Sequence, residues 1–247
     1  MAERITSRKN PFLQQTKKLL SSRKAREEAG NFVADGTKLL KEAVQFESGL
    51  HTVILSDGIE ADIPEGVRVI RVPGDVMESI SPMASPQGAL FLCHLPEKTA
   101  FVPKAGMILL DGIQDPGNLG TMLRTADALD IPVALLEGCA DPYSHKVVRA
   151  SMGAVFRTKV VQTTWQEAKA ACEAAGIPIG VTALSDRAKD IRDADVKAMA
   201  VVIGSEGQGV RKEILDAADA ELIIPMNPRC ESLNAAVAAT IVMWQMK

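Results

Sequence analysis

From residue 107 onwards, the sequence alternates short apolar runs with segments of helical pattern. The first run, Met107–Leu110, contains only apolar residues, which is typical of a strand buried on both faces of a parallel sheet. The pattern predicts further strands at 133–136, 159–161, 178–182, 199–203 and 222–224, and helices at 118–129, 144–149, 165–175, 210–218 and 232–246. Repeated strand–helix units imply a mostly parallel sheet with helices on both faces, so we expect an α/β domain.

The residues before this alternation form a separate, smaller pattern. Loops containing Gly, Pro and Ser separate its predicted elements, which are helices at 11–29, 37–45 and 75–80 and strands at 52–55, 67–72 and 89–93. A proline-containing stretch without helical periodicity follows. We therefore predict a smaller α/β domain at 1–97, a linker at 98–105 and a larger domain at 106–247.

Charge is distributed unevenly along the chain. The whole sequence has 28 Lys and Arg residues against 31 Asp and Glu residues, a formal net charge of −3, which by itself argues against a polyanionic partner. Residues 1–26, however, contain eight basic residues and one acid, so this segment has a charge of +7 and the rest of the chain −10. Such a segment favours binding of a polyanion at this end, and a solvated amphipathic helix is the alternative.

The cysteine and histidine positions do not predict a metal or redox site. The four cysteines form no C-x-x-C pair, and the three histidines are isolated from one another. Scattered thiols in a chain without a secretory signal pattern are typical of reduced cysteines in the cytoplasm. No apolar run approaches the ~20 residues of a membrane-spanning helix. We therefore expect a cytoplasmic protein that binds no metal.

Three loops are candidates for a ligand site, because ligands of parallel sheets bind beyond the carboxyl ends of the strands. Each loop follows a predicted strand, opens a predicted helix and is rich in Gly, Asn, Pro and Ser: 111–120, 204–209 and 225–234. The glycine spacing in 204–209 matches neither a dinucleotide-binding fingerprint nor a P-loop, and it is not the G-x-S-x-G pattern of a hydrolase. This loop is either a close-approach ligand loop or an ordinary strand-to-helix turn.

Single residues of these loops also have structural alternatives. Asn118 and Ser232 are each well placed as the N-cap of the helix that follows. Arg124 lies close to the positive end of its helix, where it either reaches an anionic ligand or pairs with Asp127. Asn234 is less expected in the first turn of an apolar helix, which makes it a candidate site residue.

Taken together, the three loops resemble the motifs of the SpoU/TrmH family of RNA ribose 2′-O-methyltransferases, within the SPOUT group. The resembling residues are Asp115-Pro116-x-Asn118-x-Gly120 followed by Arg124-Thr125-Ala126, then 203–207 with Gly209, then Ile224-Pro225-Met226 followed by Ser232-Leu233-Asn234. The segment 149–154 (RASMGA) is similar to a stretch between the first two motifs. This likeness covers roughly 105–247.

A weaker likeness covers the first domain. Ser7-Arg8-x-Asn10-Pro11 and Ala34-Asp35-Gly36 resemble the ribosomal-protein-like RNA-binding domain that often precedes this fold, although relatives often have Glu in place of Asp35. The resemblance implies that this domain binds the RNA substrate. The basic residues that we expect to contact RNA are Arg8, Lys9, Lys17, Lys18, Arg23 and Lys24.

For the second domain, the resemblance implies an α/β fold with a deep trefoil knot, in a homodimer, with S-adenosyl-L-methionine held by the knotted loops. The implied cofactor-binding residues are Gly204, Ile224, Met226 and Leu233, and the implied catalytic-site residues are Arg124, Asn118, Glu206, Ser232 and Asn234. Because arginine is protonated at neutral pH, we expect Arg124 to bind a phosphate and to stabilise developing negative charge.

The sequence thus predicts an enzyme, an S-adenosylmethionine-dependent RNA (ribose-2′-O)-methyltransferase acting on ribosomal RNA. Two alternatives on the same fold are a transfer RNA 2′-O-methyltransferase and a non-catalytic RNA-binding or assembly factor. An unrelated nucleotide-binding α/β enzyme is disfavoured, because the phosphate-loop and dinucleotide fingerprints are missing.

Overall fold

The computed structural model describes residues 3–46 and 48–247. The chain forms two compact units. Unit 1 contains the described residues up to Glu97 together with 141–157, and unit 2 contains 98–140 and 158–247. The segment 141–157, which the sequence analysis assigns to the second domain, therefore packs with the first.

The elements of the first 97 residues are β1 (Glu3–Arg4), α1 (Pro11–Ser21), α2 (Arg23–Ala29), β2 (Asn31–Asp35), α3 (Thr37–Gln45), β3 (Leu50–Ser56), β4 (Arg68–Val72), α4 (Gly74–Ile80) and β5 (Ala89–His94). Those of the remaining chain are β6 (Met107–Leu110), α5 (Pro116–Leu129), β7 (Val133–Leu135), α6 (His145–Ala150), β8 (Val161–Gln162), α7 (Trp165–Ala175), β9 (Ile179–Thr182), β10 (Lys189–Asp190), β11 (Ala200–Ile203), α8 (Lys212–Leu215), β12 (Ala220–Ile223) and α9 (Ala235–Gln245). Short 3-10 turns lie at Ala154–Phe156, Ile191–Asp193 and Val196–Ala198.

Unit 1 has a mixed five-stranded sheet in the order β1-β4-β3-β5-β2. The first three strands in this order are parallel, whereas β5 runs antiparallel to both of its neighbours. Apolar side chains from α1, α4 and the sheet form the core, including the fully buried Leu13, Ile54 and Ile70. Strand β2 was not predicted from the sequence, because its only apolar stretch, Phe32–Ala34, is three residues long.

The basic amino-terminal segment forms two helices, not the single helix predicted at 11–29. The helical conformation is interrupted at Ser22. The backbone of Ser22 is extended (φ −126°), and its hydroxyl accepts a hydrogen bond from the Ala25 backbone N–H (3.2 Å). A serine in this position stabilises a new helix start, because it satisfies one of the unpaired amides of the first turn. Helix α2 therefore begins at Arg23.

The segment 141–157 belongs to unit 1 because its apolar residues are buried there. Val147 and Val148 on α6 are fully buried, and the Tyr143 ring lies 5.2 Å from that of Phe32 on β2 (centroid to centroid). The Arg26 guanidinium forms an ion pair with Asp141 (2.6 Å), and both side chains are almost inaccessible to solvent. This segment therefore contributes to the core of unit 1.

Unit 2 has a seven-stranded sheet in the order β10-β12-β9-β11-β6-β7-β8. Every neighbouring pair of strands in it is parallel. The central strands β6 and β11 are buried along their whole length, as strands covered on both faces must be. The predicted fold class, α/β with a mostly parallel sheet and a smaller amino-terminal domain, is confirmed. The trefoil knot stays a prediction.

Two helices of unit 2 are shorter than predicted. Helix α8 contains only Lys212–Leu215, because Val210 packs into the core and Arg211 occupies the N-cap position. Helix α9 begins at Ala235, so residues 232–234 belong to the preceding loop. Within the described residues, no helix is both long and apolar enough to cross a membrane.

Candidate active site

The three motif loops meet at one edge of the unit 2 sheet. They follow β6, β11 and β12, and parallel strands place their carboxyl ends at the same edge. Strands β6 and β11 are direct neighbours, with Leu110 in register with Ile203. The loop at 111–115 therefore begins beside the loop at 204–209, although about a hundred residues of sequence separate them.

One polar side chain from each loop joins a shared network. The Asn118 amide donates a hydrogen bond to the Glu206 carboxylate, and the Asn234 amide donates one to Asn118 Oδ1 (3.0 Å). Asn118 thus acts as donor to one loop and acceptor from the other. This contact brings together three of the five predicted catalytic-site residues.

The helix caps differ from those predicted. Asp115 caps α5, because its Oδ1 accepts a hydrogen bond from the Asn118 backbone N–H (2.8 Å). Asn234 caps α9, where its Oδ1 accepts from the backbone N–H groups of Ala236 (2.9 Å) and Val237 (3.2 Å). The predictions of Asn118 and Ser232 as N-caps were wrong. The side chain of Asn118 is consequently available for the polar network.

Arg124 lies on the exposed face of α5, six residues after Asn118. Over the described chain, 3–46 and 48–247, it forms no hydrogen bond and no ion pair, so the alternative pairing with Asp127 does not occur. A solvent-exposed guanidinium without a protein partner presents all of its N–H donors to solvent. It can bind an anionic ligand without first breaking an internal contact.

A cleft of about 590 Å³ opens between the loops that follow β9, β11 and β12. All four predicted cofactor-binding residues line it: Gly204, Ile224, Met226 and Leu233. Glu206 and Ser232 of the predicted catalytic set also line it, whereas Asn118, Arg124 and Asn234 do not. The volume lies within the range of about 300–1,000 Å³ that is usual for small-molecule sites.

Close backbone approach explains the glycine at position 204. A Cβ atom there would lie 2.1 Å from the Gly209 carbonyl carbon and 2.2 Å from the Val210 nitrogen. Ser205 and Gly209 exchange backbone hydrogen bonds of 2.9 and 3.0 Å, which close the loop on itself. The loop is therefore a compact turn that only a residue without a side chain can begin.

An arginine that the sequence analysis did not select connects this loop to two other strand ends. The Arg211 backbone N–H and Nε both donate to the Asp111 carboxylate (2.9 and 2.7 Å), which is buried at the end of β6. The Arg211 guanidinium also donates to Glu137 (2.9 Å) and Glu213 (3.0 Å). The sequence signal for this contact is Asp111 itself, which directly follows an apolar strand. A carboxylate buried at such a position requires a basic partner, although the sequence does not say which one.

The surroundings of Glu137 keep it ionised. Burial alone would raise the pKa of Glu137, but hydrogen bonds from its own backbone N–H, from Arg211 and from the Trp165 backbone N–H outweigh burial and hold the pKa below its ordinary value. Burial would lower the pKa of Arg211, but its hydrogen bonds to Glu137 and Asp111 outweigh burial and raise the pKa. Since Trp165 begins α7, this carboxylate also holds the start of that helix.

No group of three or more His, Cys, Asp or Glu side chains suited to a metal ion occurs within residues 3–46 and 48–247. The Cys139 thiol contacts backbone atoms of Leu110, at the end of β6, and of Ile113 in the first motif loop. Burial raises the pKa of Cys139 to about 11, so it is protonated at neutral pH. A thiol in this state is a poor nucleophile, which favours a structural role.

The predicted RNA-contact residues divide into two groups. Three of them form ion pairs with carboxylates of unit 1: Arg8 with Asp75 (2.7 Å), Arg23 with Glu27 (2.9 Å) and Lys24 with Glu28 (3.8 Å). The other three, Lys9, Lys17 and Lys18, are exposed and form no ion pair with any described residue. The structure therefore leaves three free cations on this segment.

The sequence matches two family models. One describes the SpoU rRNA methylase family and matches residues 106–244, more than half of the chain. The chain belongs to this family. The other describes an MRM3-like substrate binding domain and matches residues 10–90. The family membership and enzyme class predicted from the motifs are confirmed.

Full-length relatives of the SpoU family agree with this assignment. The chain is 31% identical to the 23S rRNA (guanosine(2553)-2′-O)-methyltransferase RlmP of Bacillus subtilis, over 99% of each protein. The crystal structure of an AdoMet-bound rRNA methyltransferase from Sinorhizobium meliloti superimposes with a TM-score of 0.86 at 29% identity, over 99% of this chain and 97% of that one. The SpoU methyltransferase AviRb of Streptomyces viridochromogenes, in complex with AdoMet, gives a TM-score of 0.82 at 25% identity, over 96% and 97%.

Proposed function

We propose that this chain transfers a methyl group from S-adenosyl-L-methionine to a ribose 2′-hydroxyl of ribosomal RNA. The observation that carries the proposal is the convergence of Asn118, Glu206 and Asn234 beside the cleft that contains all four predicted cofactor-binding residues. The relative in Bacillus subtilis is a 23S rRNA 2′-O-methyltransferase, and the two structural neighbours described above are bound to AdoMet.

The cleft fits this cofactor chemically. Its walls include the glycine loop at 204–209 and the apolar side chains of Ile224, Met226 and Leu233. Glycines let a ligand approach the backbone of this loop closely, and neutral backbone groups suit the edge of an adenine ring. We propose that Gly204, Ile224 and Leu233 contact the adenosine, and that Met226 packs against it.

When bound there, S-adenosylmethionine supplies a methyl group on a positively charged sulfur. The chain must align the ribose hydroxyl with that group and stabilise the negative charge that develops on the oxygen. Arg124 is suited to the second task, because its free guanidinium can contact a neighbouring phosphate and the developing oxyanion. The Asn118–Glu206–Asn234 network holds the three loops in one arrangement, and Ser232 lies exposed at the rim of the cleft.

The test uses labelled cofactor with protein-free ribosomal RNA and, in parallel, transfer RNA, followed by nuclease mapping. We expect label on a ribose of ribosomal RNA. Label on a base would contradict the ribose assignment, and label on transfer RNA alone would favour the alternative substrate. A non-catalytic assembly factor would transfer no label, and calorimetry would show no cofactor binding if its site were degenerate.

Arg124→Ala tests the catalytic assignment. We expect methyl transfer to fall by about a hundredfold or more, which is typical when a preorganised donor to a developing oxyanion is removed. Cofactor affinity should stay unchanged, because Arg124 does not line the cleft. Lys104→Ala is the control, because Lys104 is an exposed cation of unit 2 that forms no ion pair with any described residue and does not line the cleft. Unchanged transfer in Arg124→Ala would remove this residue from the mechanism.

We also propose that two copies of the chain associate through α9. This helix packs against α5, yet Val237 and Trp244 remain 48% and 70% exposed. They are seven residues apart and so lie on one face of the helix. Exposed large apolar side chains on one face are typical of a self-association surface. Light scattering should show a dimer that Trp244→Asp converts to a monomer, whereas a monomeric wild-type chain would contradict the proposal.

For the amino-terminal domain, we propose that residues 1–97 bind the RNA substrate. The match of residues 10–90 to a substrate binding domain supports this role. Among the six candidate residues, Lys9, Lys17 and Lys18 are the best suited, because Arg8, Arg23 and Lys24 already have carboxylate partners. An RNA phosphate must displace a carboxylate to bind Arg8, Arg23 or Lys24, whereas it can bind an unpaired lysine directly.

A further inference from the structure

A second group of free cations lies on unit 1, on helices that the sequence analysis did not connect with RNA. Lys38 and Lys41 are exposed on α3, and Lys146 and Arg149 are exposed on α6. Within the described residues none of the four forms an ion pair. The single hydrogen bond of Arg149 goes to the Met83 sulfur, a weak acceptor.

Both helices pack against β2 within unit 1. Asp35, which ends β2 just before α3, interacts electrostatically with both His145 and Arg149 of α6. At the other end, Gly153 lies against α3, since a Cβ atom there would be 3.0 Å from the side chain of Glu42. The residues after α6 therefore reach α3 at Glu42, whereas α6 itself packs against β2 beside Asp35. Lys38 is one turn from Glu42 and so occupies the face of α3 towards Gly153.

The acids of this neighbourhood do not cancel the positive charge. Glu42 forms an ion pair with Arg157, so it is already neutralised. Asp35 accepts a hydrogen bond from Ser81 (2.8 Å), and burial raises the pKa of its carboxyl group, although Ser81, Arg149 and His145 act in the opposite direction. The surface made of Lys38, Lys41, Lys146 and Arg149, which we call the α3/α6 surface, thus has an excess of positive charge.

Met152 adds an exposed apolar side chain to this surface. Met152 is the second residue after the end of α6, and it is 45% exposed. Its backbone is in the left-handed region (φ 51°), an uncommon and strained conformation for a residue with a long side chain. A glycine would adopt this conformation without strain. Neither burial nor backbone preference therefore explains a methionine at this position.

We propose that the α3/α6 surface is an RNA-contacting surface, in which the four cations bind phosphates and Met152 packs against an unpaired base. Structured RNA is recognised through its phosphates and through bases splayed out of the helix, and a methionine sulfur makes favourable contacts with aromatic rings. The inference rests on the proposed RNA substrate. It adds RNA contacts by residues 145–152 to those proposed for residues 1–97. Residues 145–152 lie within the part of the sequence that matches the SpoU methylase family, yet they fold into unit 1.

The first test removes two of the charges. Lys146→Gln/Arg149→Gln should raise the Kd for protein-free 23S ribosomal RNA of Bacillus subtilis by roughly tenfold. It should also reduce the slope of log K against log salt by about 1.4–1.8, the value for two phosphate contacts. The matched control is Lys98→Gln/Lys104→Gln, which removes the same charge from two exposed, unpaired lysines of unit 2. The control should change Kd less than twofold, and equal losses in the two variants would overturn the proposal.

The second test uses Met152→Gly, which relieves the backbone strain and removes the side chain. We expect an unchanged or higher Tm together with a Kd for the same RNA that is raised roughly two- to tenfold. Unchanged RNA affinity would remove Met152 from the surface. Both variants should bind S-adenosylmethionine like the wild type. If the wild-type chain bound this RNA without methylating it, the proposed reaction would be contradicted. The Kd values of the variants and the control would still show whether the α3/α6 surface binds RNA.

Discussion

The two units use their polar residues in different ways. In unit 2, three loops that are distant in sequence bring Asn118, Glu206 and Asn234 into contact at one sheet edge. In the amino-terminal segment of unit 1, long cationic side chains pair with acids from other parts of that unit, as Arg4 does with Asp57 and Arg8 with Asp75. Parallel strand topology thus places motif residues together. By contrast, the net charge of a sequence segment does not give the charge of the folded surface, because acids from other parts of the chain pair with its basic residues.

The largest effect should come from the closed loop of unit 2. Gly204→Ala places a Cβ atom 2.1 Å from backbone, which cannot move without opening the loop. We expect S-adenosylmethionine affinity, measured by calorimetry, to fall by more than about a hundredfold. Gly207→Ala is the control, because a Cβ atom there meets nothing within 4 Å. Normal cofactor binding by Gly204→Ala would show that the glycine loop does not form the cofactor site.

In unit 1, the largest effect should be a loss of stability on breaking the ion pair between Arg26 and Asp141. Arg26→Met removes the ion-pair partner of the nearly buried Asp141 carboxylate, which keeps only the hydrogen bond from the Tyr143 backbone N–H, and breaking a buried ion pair in this way costs about 3–5 kcal/mol. The control Arg8→Met breaks an exposed pair and should cost about 1 kcal/mol or less. Urea unfolding followed by circular dichroism measures both. A loss below about 1 kcal/mol in Arg26→Met would show that the pair does not hold residues 141–157 in place.

The same variant should destabilise unit 1 more than unit 2. Both tryptophans, Trp165 and Trp244, belong to unit 2, so tryptophan fluorescence reports on that unit. We expect Arg26→Met to shift the circular dichroism transition more than the fluorescence transition. The double variant Arg26→Met/Asp141→Leu should recover much of the lost stability, because replacing both members of a buried pair by apolar residues is often close to neutral.

A smaller effect should separate free cations from paired ones on the amino-terminal segment. Lys17→Gln/Lys18→Gln should raise the Kd for protein-free ribosomal RNA by roughly three- to tenfold at low salt, because each lysine is free to bind a phosphate. Arg4→Gln/Arg8→Gln removes the same charge from residues that already have carboxylate partners, and we expect less than a twofold change. Equal effects would mean that the charge of the whole segment matters more than its pairing.

Much of this arrangement was predictable from the sequence. The apolar runs predicted six of the seven strands of the unit 2 sheet, all except the two-residue β10. The resemblance to the SpoU/TrmH motifs singled out Asn118, Glu206 and Asn234, which meet because strands of one parallel sheet end at a common edge. The ion pair of Asp111 with Arg211 was not predicted, since side chains a hundred residues apart leave no periodic signal. The placement of 141–157 was missed for a similar reason. Its apolar residues indicate burial, but not the core in which they are buried.

The smallest effect concerns histidine protonation, and it should again differ between the units. All three histidines lie in unit 1. The His51 Nε2 is buried without a hydrogen-bond partner in the described chain, and its ring stacks on that of His94 (4.4 Å between centroids). Burial, and secondarily the neighbouring His94, lower the pKa of His51. The unfolded chain therefore takes up this proton more readily than the folded chain.

Stability should consequently be complete above the ordinary histidine pKa of about 6.5 and should decrease as the pH falls below it. We expect Tm followed by circular dichroism to fall by roughly 2 °C between pH 7.5 and pH 5.5 from this source. His51→Gln should reduce that pH dependence, and His94→Gln should reduce it less, because it removes only the secondary cause. A pH dependence of the wild type that persists unchanged in His51→Gln would assign the effect to other groups, and the contrast between the units would then not extend to protonation.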